Sequence, residues 1–290
     1  MAFFRSSEII IVNPKDIEKI EIELLLDGIL KRYGYDYSDY ASASLKRRLQ
    51  HNLTSTNTSS YLQLLDKILH DEKAFEKLLL DLSITVTEMF RDPYIYEAVR
   101  TFIVPILKTY PFIKIWHAGC ATGEEVYSIA ILLHEEGLLE KTQIYATDIN
   151  IKALEIAKEG IYPSDHVKKY TKNYLLAGGK HSLSDYYHAK YGSAKMVDFL
   201  KKNITFAYHN LAVDHSFCEA QLIVCRNVLI YFNRDLQNRV FNLFNDSLSH
   251  GGFLFIGSKE TLEFSNVNKQ FECLSKKDRL YKKLYTDETK

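Results

Sequence analysis

A nine-residue segment near the middle of the chain combines two glycines with two acidic residues, which suits a ligand-binding loop. Residues 117–125 read His-Ala-Gly-Cys-Ala-Thr-Gly-Glu-Glu. Gly119 and Gly123 allow a backbone to approach a bound ligand closely. Their spacing differs from the G-x-G-x-x-G pattern of dinucleotide sites. The glycines alone therefore indicate a ligand without identifying it.

The two carboxylates that follow narrow the ligand class. Glu124 and Glu125 open a predicted helix, where a dinucleotide site would place its pyrophosphate on free N–H groups. Two carboxylates there would repel phosphate and would suit a cationic ligand without phosphate, such as S-adenosylmethionine. Alternatively, both complement the helix dipole. That alternative stays open for Glu124, whereas Glu125 favours the ligand site.

Polar residues also follow three other predicted strands. Asp148 follows the second strand and is placed to accept hydrogen bonds from ribose hydroxyls, or to cap the helix from residue 151. Arg226 and Asn227 follow a further strand, and Asn210 and Leu211 follow another. Parallel strands bring their carboxyl ends to one edge of a sheet. We therefore expect one pocket built from four strand ends.

Strands and helices alternate from residue 113 onward, which predicts an α/β, Rossmann-like fold with a mostly parallel sheet. Asp92-Pro93 is a helix start, with Asp92 as a possible cap, and this helix should reach residue 108. Strands are predicted at 113–117, 143–147, 204–209, 222–225 and 253–257, with a final antiparallel pair within 271–284. Helices are predicted at 124–136, 151–159 and 233–249, the last one ended by Gly251-Gly252.

Two regions lie outside this alternation. The first part of the chain predicts a small all-helical domain, with helices at 16–33, 60–70 and 71–82, a short basic helix around 45–49 and a loop at 54–59. Ile17, Ile20 and Leu24 have the spacing of one helical stripe, which Leu25, Ile29 and Leu30 widen. Residues 162–199 are rich in Tyr, Lys, His and Ser. We expect them to form an inserted antiparallel β subdomain.

The bulk composition excludes several classes of function. Lys plus Arg and Asp plus Glu are 37 each, so no net charge draws the chain to nucleic acid or to anionic lipid. The four cysteines have no metal-ligand spacing. Neither a signal peptide nor an apolar run of membrane-spanning length is present in the sequence. We expect a cytoplasmic protein that binds no metal and no nucleic acid.

Four motifs together resemble one known family. They are Ser83-Ile-Thr-Val-Thr-Glu-Met-Phe-Arg-Asp92, Gly119-Cys-Ala-Thr-Gly-Glu-Glu125, Ala146-Thr-Asp-Ile149 and Cys225-Arg-Asn-Val-Leu-Ile-Tyr-Phe232. They resemble the CheR family of chemoreceptor glutamate methyltransferases, in one order over nearly the whole chain. The resemblance implies a helical, receptor-facing domain with its linker at 1–88 and a methyltransferase domain at 89–290. It also implies methyl transfer from S-adenosylmethionine to receptor glutamates, leaving S-adenosylhomocysteine.

The resemblance carries residue roles with it. Arg91 and Tyr231 would lie near the transferred methyl group, Arg91 holding the incoming carboxylate and Tyr231 orienting it. Thr85 and Met89 depart from the family's usual Asn and Phe. Cofactor contacts are implied at Thr85, Thr87, Arg91, Gly119, Glu125, Asp148, Asn210, Leu211, Arg226 and Asn227.

The partner implied by the resemblance is the cytoplasmic domain of a methyl-accepting chemoreceptor, bound by a monomer. Lys46, Arg47 and Arg48 would steer this acidic partner; alternatively they form an ordinary solvated helix face. His117 and His209 are expected to have structural roles. Two other functions stay open: a module that senses the cofactor without turnover, and a methyltransferase acting on a partner outside chemotaxis.

Overall fold

The computed structural model describes residues 14–37, 42–83 and 87–285. The chain divides into two compact units, Met1–Leu82 and Ser83–Lys290. In the described residues, no helix has both the length and the apolar character needed to cross a membrane.

The first unit is all-helical, as predicted. α1 packs on α3, and α4 packs on both α2 and α3. Ser60 caps α3 by accepting a hydrogen bond from the N–H of Gln63. The helices are α1 (Pro14–Tyr33), α2 (Ser42–Thr56), α3 (Tyr61–His70) and α4 (Glu72–Leu82). Their fully buried side chains include Leu25, Ile29, Leu49, Leu64, Ile68, Leu78 and Leu82.

Two expectations for this unit are wrong. The Ile17, Ile20 and Leu24 side chains of the predicted stripe are 45–49% exposed, and only its Leu25 and Ile29 are fully buried. Glu18 and Glu21 turn toward α2 and α3 instead, where Glu18 pairs with Lys46 and Glu21 accepts a hydrogen bond from the N–H of Tyr61. The predicted loop at 54–59 is also too long, because α2 continues to Thr56.

The second unit begins with an interrupted helix rather than a single one. α5 (Tyr94–Ala98) and α6 (Val104–Leu107) flank a π-helical turn at Val99–Ile103. Pro105 has no N–H for the residue one turn earlier, so the α-helical hydrogen bonding cannot run through this point. Pro93 occupies the N-cap without a side-chain bond, so the expected capping by the Asp92 side chain is wrong.

A seven-stranded sheet forms the centre of the second unit and confirms the Rossmann-like prediction. Its order is β6-β2-β1-β7-β8-β10-β9, parallel except for the antiparallel pairs that β10 makes. The strands are β1 (Ile113–Ala118), β2 (Thr142–Asp148), β3 (Ile161–Pro163), β4 (Tyr187–Lys190), β5 (Ser193–Met196), β6 (Ile204–Tyr208), β7 (Ala220–Cys225), β8 (Leu248–Ile256), β9 (Phe271–Ser275) and β10 (Leu280–Lys283). The remaining helices are α7 (Glu124–Glu135), α8 (Ile151–Glu159), α9 (Ser164–Leu176), α10 (Asp198–Lys201) and α11 (Arg234–Ser247).

Strand order reverses between β1 and β7. From β1 the chain proceeds outward to β2 and then to β6, whereas β7 and β8 lie on the other side. Both β1 and β7 are buried over nearly their whole length. An open sheet binds ligands beyond the strand ends at such a reversal. The topology therefore indicates a ligand site at the loops after β1 and β7.

The insertion and the last helix differ in detail from the prediction. β3, β5 and β4 form the expected small antiparallel sheet, and the unforeseen helix α9 lies between β3 and β4. Gly251-Gly252 does not end α11 but lies within β8. The pairing register of β7 with β8 shifts between Ala220 and Leu222. The two glycines lie in the part of β8 opposite this irregularity.

Candidate cofactor site

Backbone hydrogen bonds join the strand ends that were predicted to converge. The N–H groups of Gly119 and Cys120 donate to the carbonyl oxygen of Thr147, at 2.8 and 2.9 Å. The N–H of His209 donates to the carbonyl oxygen of Asp148 at 3.2 Å. The loops after β1, β2 and β6 therefore meet at one edge of the sheet.

Gly119 brings the loop after β7 to the same place. Its φ of +76° favours glycine, and a Cβ atom there would lie 2.4 Å from Cγ2 of Val228. Any other residue at position 119 would be strained by this φ and would displace the Val228 side chain. The fourth strand end thus joins the other three.

Arg226, the residue that follows β7, is the centre of a buried ion-pair network. Its Nη2 donates to Oδ2 of Asp92 at 2.6 Å, and its Nη1 donates to Oε1 of Glu125. Burial alone would lower the pKa of Arg226, but Glu125, Tyr96 and Asp92 together raise it by more than burial lowers it. The guanidinium therefore stays charged. The network ties α7 to the segment that precedes α5.

Arg91 lies between two anchored residues of that segment. The N–H of Phe90 donates to Oγ of Ser128 in α7 at 2.9 Å, and Asp92 is held by Arg226. Phe90 and Asp92 both have a φ of +54°. Non-glycine residues in this region store about 1–3 kcal/mol of strain each and cluster at functional sites. The partly buried Arg91 side chain is thus presented by a fixed backbone.

Asp148 accepts hydrogen bonds from two loops. Its Oδ2 accepts from the N–H of Ala121 and its Oδ1 from the N–H of Asn150, both at 2.8 Å. Burial raises the pKa of Asp148, and the N–H donors counteract that rise. The cap of α8 is Asn150, which accepts from the N–H of Ala153. The capping alternative for Asp148 is therefore wrong.

Glu124 and Glu125 have different surroundings although they are adjacent. Glu125 pairs with Arg226, whereas Glu124 accepts a hydrogen bond from Oγ1 of Thr122 at 2.6 Å and is only 6% exposed. Burial raises the pKa of Glu124 to about 7, even though the Thr122 bond lowers it. Glu124 therefore exchanges a proton near neutral pH.

Two buried nitrogen atoms beside this network have no hydrogen-bond partner among the described residues. They are Nε2 of His117 and Nε of Arg226. Burial lowers the pKa of His117 to about 4, so the imidazole is neutral at pH 7. Such orphaned groups usually belong to a ligand or a water molecule. His209 has a packing role against Trp116, and its Nε2 lies 3.1 Å from the carbonyl oxygen of His215.

These features fit a cationic cofactor without phosphate. Asp148, Glu125 and Asp92 supply three carboxylates, against the two guanidinium groups of Arg226 and Arg91. An electronegative pocket favours a sulfonium and an amino group and opposes a pyrophosphate. Gly119 lets the backbone approach the ligand. The residues present are thus compatible with S-adenosylmethionine.

The other predicted cofactor residues have the following surroundings. Oδ2 of Asp214 accepts from the N–H of Asn210 at 2.7 Å, and Leu211 is buried. Asn227 has a φ of +60° and leads into the 3-10 turn Leu229–Tyr231. The partly buried Thr87 precedes Phe90, while Thr85 lies outside the described residues.

Two acidic residues of this site were not predicted. Asp92 was interpreted only as a helix cap. Glu260 accepts four successive backbone N–H groups of the loop after β7. Its only sequence signal is its position shortly after a buried apolar strand, a position that Ser258 and Lys259 share without being buried.

The predicted basic residues lie on α2 of the first unit. Nζ of Lys46 lies 2.6 Å from Oε2 of Glu18. Nη1 of Arg48 donates to the carbonyl oxygen of Asp81 at 3.3 Å. Arg47 is exposed to solvent. The three side chains therefore differ in how available they are to a partner.

Comparison with known proteins identifies the family. Residues 85–280 match the model "CheR methyltransferase, SAM binding domain", and residues 20–83 match "CheR methyltransferase, all-alpha domain". A Pseudomonas putida protein named "Putative methyltransferase Cher3" is 52% identical over 91% of this chain and 97% of its own length. A Borreliella burgdorferi "Chemotaxis protein methyltransferase" is 31% identical over 88% of this chain and 93% of its own length.

A third relative has the same region within a much longer chain. This Rhodobacter capsulatus protein, named "Uncharacterized 104.1 kDa protein in hypE 3'region", is 28% identical over 86% of this chain and 26% of its own length. The family models cover both units, and the site fits the cofactor that one of them names. The chain therefore belongs to the CheR methyltransferase family and is an S-adenosylmethionine-dependent methyltransferase.

Proposed function

We propose that this methyltransferase esterifies glutamate side chains in the cytoplasmic domain of a chemoreceptor. The observation that carries the proposal is the fixed presentation of Arg91 beside the network of Arg226, Asp92 and Glu125. A guanidinium suits the capture of a carboxylate, because it can donate two parallel hydrogen bonds to it. The printed name of the Borreliella burgdorferi relative, "Chemotaxis protein methyltransferase", supports the chemotaxis context.

The reaction needs alignment more than proton transfer. When bound, S-adenosylmethionine supplies an electrophilic methyl group on a sulfonium that leaves as a neutral thioether. A glutamate is already ionised at neutral pH, so no general base is required. Arg91 holds the incoming carboxylate, Tyr231 orients it, and the buried neutral His117 takes no proton. Exclusion of water and in-line placement provide the rate enhancement.

Cofactor contacts are assigned on the same basis. Asp148 takes the ribose hydroxyls with the lone pairs that Ala121 and Asn150 leave unused. Glu125 and Arg226 hold the amino-acid end of the cofactor. The remaining contacts come from Thr85, Thr87, Arg91, Gly119, Asn210, Leu211 and Asn227.

The receptor side is assigned to residues 1–88, with Lys46, Arg47 and Arg48 steering an acidic helix. The methyltransferase domain then comprises 89–290 with its insertion at about 162–199. The protein acts in the cytoplasm as a monomer. With 37 basic and 37 acidic residues, the net charge gives no general attraction to nucleic acid, so an acidic partner must be recognised by a local patch.

Methyl transfer to a panel of purified receptor cytoplasmic fragments tests the proposal. We expect labelled methyl from S-adenosylmethionine to appear on a fragment as a base-labile ester. Arg91→Ala should abolish transfer, whereas S-adenosylhomocysteine should still bind with reduced affinity through its other contacts. A wild type that binds S-adenosylhomocysteine but labels no fragment would contradict the proposal and favour a cofactor sensor. Label on a protein outside chemotaxis would move the activity to another partner.

A further inference from the structure

Glu260 lies outside every role assigned above, yet its carboxylate lies directly behind the loop that follows β7. Its Oε1 accepts from the N–H groups of Val228, Leu229 and Ile230, at 2.9, 2.7 and 3.3 Å. Its Oε2 accepts from the N–H of Asn227 at 3.3 Å and from the N–H of Gly257. The residue is only 4% exposed.

The loop depends on this carboxylate for its hydrogen bonds. Four consecutive N–H groups, those of residues 227–230, converge on one side chain because Asn227 takes a φ of +60° and a 3-10 turn follows. Buried N–H groups without acceptors are costly. A charged acceptor also gives stronger bonds than a neutral one. The positive φ of Asn227 and the short turn are therefore stabilised together by one group.

Gly257 shows how closely this arrangement is packed. A Cβ atom at position 257 would lie 2.8 Å from the backbone nitrogen of Asn227 and 2.8 Å from Oε2 of Glu260. The loops after β7 and β8 therefore touch through backbone and carboxylate, with no room for a side chain. Movement of Glu260 must move the loop.

We propose that Glu260 is a positioning residue for the cofactor site: its carboxylate fixes the loop that presents Arg226, Asn227 and Tyr231. The role rests on the assignment of that loop to the cofactor, but not on the identity of the methyl acceptor. It differs from general core stabilisation, because the five bonds all end on this loop or on the adjoining Gly257.

Glu260→Gln is the informative variant. The amide can turn its oxygen toward Val228, Leu229 and Ile230, but its NH2 group then faces the N–H groups of Asn227 and Gly257. We expect a folded protein, judged by circular dichroism and by the fluorescence of Trp116. Its dissociation constant for S-adenosylhomocysteine should rise about tenfold or more, because charge-assisted bonds are replaced by a donor facing two donors.

Glu260→Asp and Glu263→Gln complete the set. Aspartate keeps the charge on a shorter side chain, so it should restore part of the lost affinity. Glu263 lies three residues away, partly exposed and paired with Lys276 at 2.9 Å, so Glu263→Gln should bind as the wild type does. If Glu260→Gln does not fold, the cofactor affinity and amide exchange of Glu260→Asp are compared with those of the wild type instead.

Hydrogen exchange distinguishes local positioning of the loop from a general contribution of Glu260 to stability. In the folded Glu260→Gln variant, amide exchange should accelerate in residues 227–230 and remain unchanged in the central strands β1 and β2. Wild-type affinity together with wild-type exchange in 227–230 would overturn the proposal. So would uniform acceleration across the sheet with unchanged affinity.

The same measurements separate this proposal from the proposed function. Binding of S-adenosylhomocysteine and exchange need no methyl acceptor. If the wild type labels no receptor fragment but Glu260→Gln weakens binding and frees residues 227–230, the positioning role stands and the receptor assignment fails. Where transfer is measurable, Glu260→Gln should raise KM for S-adenosylmethionine and lower kcat, and Glu260→Asp should partly restore both.

Discussion

Nη2 of Arg226 lies 2.6 Å from Oδ2 of Asp92, although 134 positions separate the two residues in the chain. The contact joins the loop after β7 to the segment that carries Arg91. Glu125 occupies the other terminal nitrogen of the same guanidinium. One side chain thus links three segments that the sequence presents far apart.

Replacing Arg226 by lysine should uncouple these segments. A lysine offers a single ammonium group in place of two terminal nitrogens directed at Asp92 and Glu125. We expect a loss of about 3 kcal/mol in the free energy of unfolding, typical of a broken buried pair, and weaker binding of S-adenosylhomocysteine. Urea unfolding followed by Trp116, the only tryptophan of the chain, measures the first effect.

Arg234→Lys is the matched control for this change. Arg234 is exposed at the start of α11, so its replacement should leave both quantities unchanged. If Arg226→Lys and the wild type have equal stability and equal cofactor affinity, the network contributes neither to folding nor to cofactor binding.

Asp148→Asn tests the assignment of the ribose. The amide loses one acceptor, and its NH2 group would face the N–H of either Ala121 or Asn150. Affinity for S-adenosylhomocysteine should fall by roughly 10- to 100-fold, as expected for a lost hydrogen bond to a charged group of about 1.5–3 kcal/mol. Isothermal titration calorimetry measures this difference, and Asp165→Asn, an exposed position in α9, is the control.

A ligand that lacks one ribose hydroxyl tests directly whether Asp148 contacts the ribose. The 2′-deoxy analogue of S-adenosylhomocysteine should bind the wild type more weakly than the natural ligand. The difference between the two ligands should shrink in Asp148→Asn, because the hydroxyl then has lost its acceptor. An undiminished difference would place the ribose elsewhere.

The raised pKa of Glu124 should make the free energy of unfolding depend on pH. Its pKa of about 7 in the folded protein lies above the ordinary 4.5, so the folded state retains a proton that the unfolded state releases. The contribution is complete below pH 4.5 and is lost as the pH rises through about 7. Its total is about 3–4 kcal/mol, from about 1.4 kcal/mol per pKa unit over a rise from 4.5 to about 7.

Glu124→Gln, which stays neutral, isolates this effect. We expect its stability relative to the wild type to increase between pH 5 and pH 7.5, measured by urea unfolding with Trp116 fluorescence. A constant difference over that range would contradict a pKa near 7 for Glu124.

If the basic residues of α2 steer an acidic receptor, KM for that receptor should depend on the salt concentration. Arg47→Glu should raise KM for an acidic receptor fragment by about 3- to 10-fold at low ionic strength, and the effect should shrink at 0.5 M salt. Affinity for S-adenosylhomocysteine should not change. Lys73→Glu reverses an exposed charge on α4 instead. Equal KM values for the two variants would favour an ordinary solvated helix face.

The sequence predicted the sheet and its pocket because local signals there agree with the tertiary structure. Apolar strands ending in Gly119, Asp148 and Arg226 required only that parallel strands end at one edge. The loop after β1 lies against the loop after β7 through Gly119 and Val228, as that rule anticipates. The small antiparallel sheet was predicted from the break in the alternation.

The errors come from interactions that spacing does not encode. Ile17 and Ile20 have helical spacing, but Glu18 and Glu21 have partners on α2 and α3, which turns the helix. Glu260 was missed for a related reason. An acidic residue beside exposed Ser258 and Lys259 resembles a solvated loop until the N–H groups of another loop are placed around it.

The chemical form and position of the transferred methyl group distinguish a glutamate methyltransferase from methyltransferases that act on other side chains. A receptor cytoplasmic fragment would be incubated with the protein and S-adenosylmethionine, mapped by tandem mass spectrometry and then exposed to mild base. We expect methyl groups on glutamate side chains that base releases as methanol, and none with Arg91→Ala. Base-stable methyl groups on lysine, arginine or histidine would contradict this expectation.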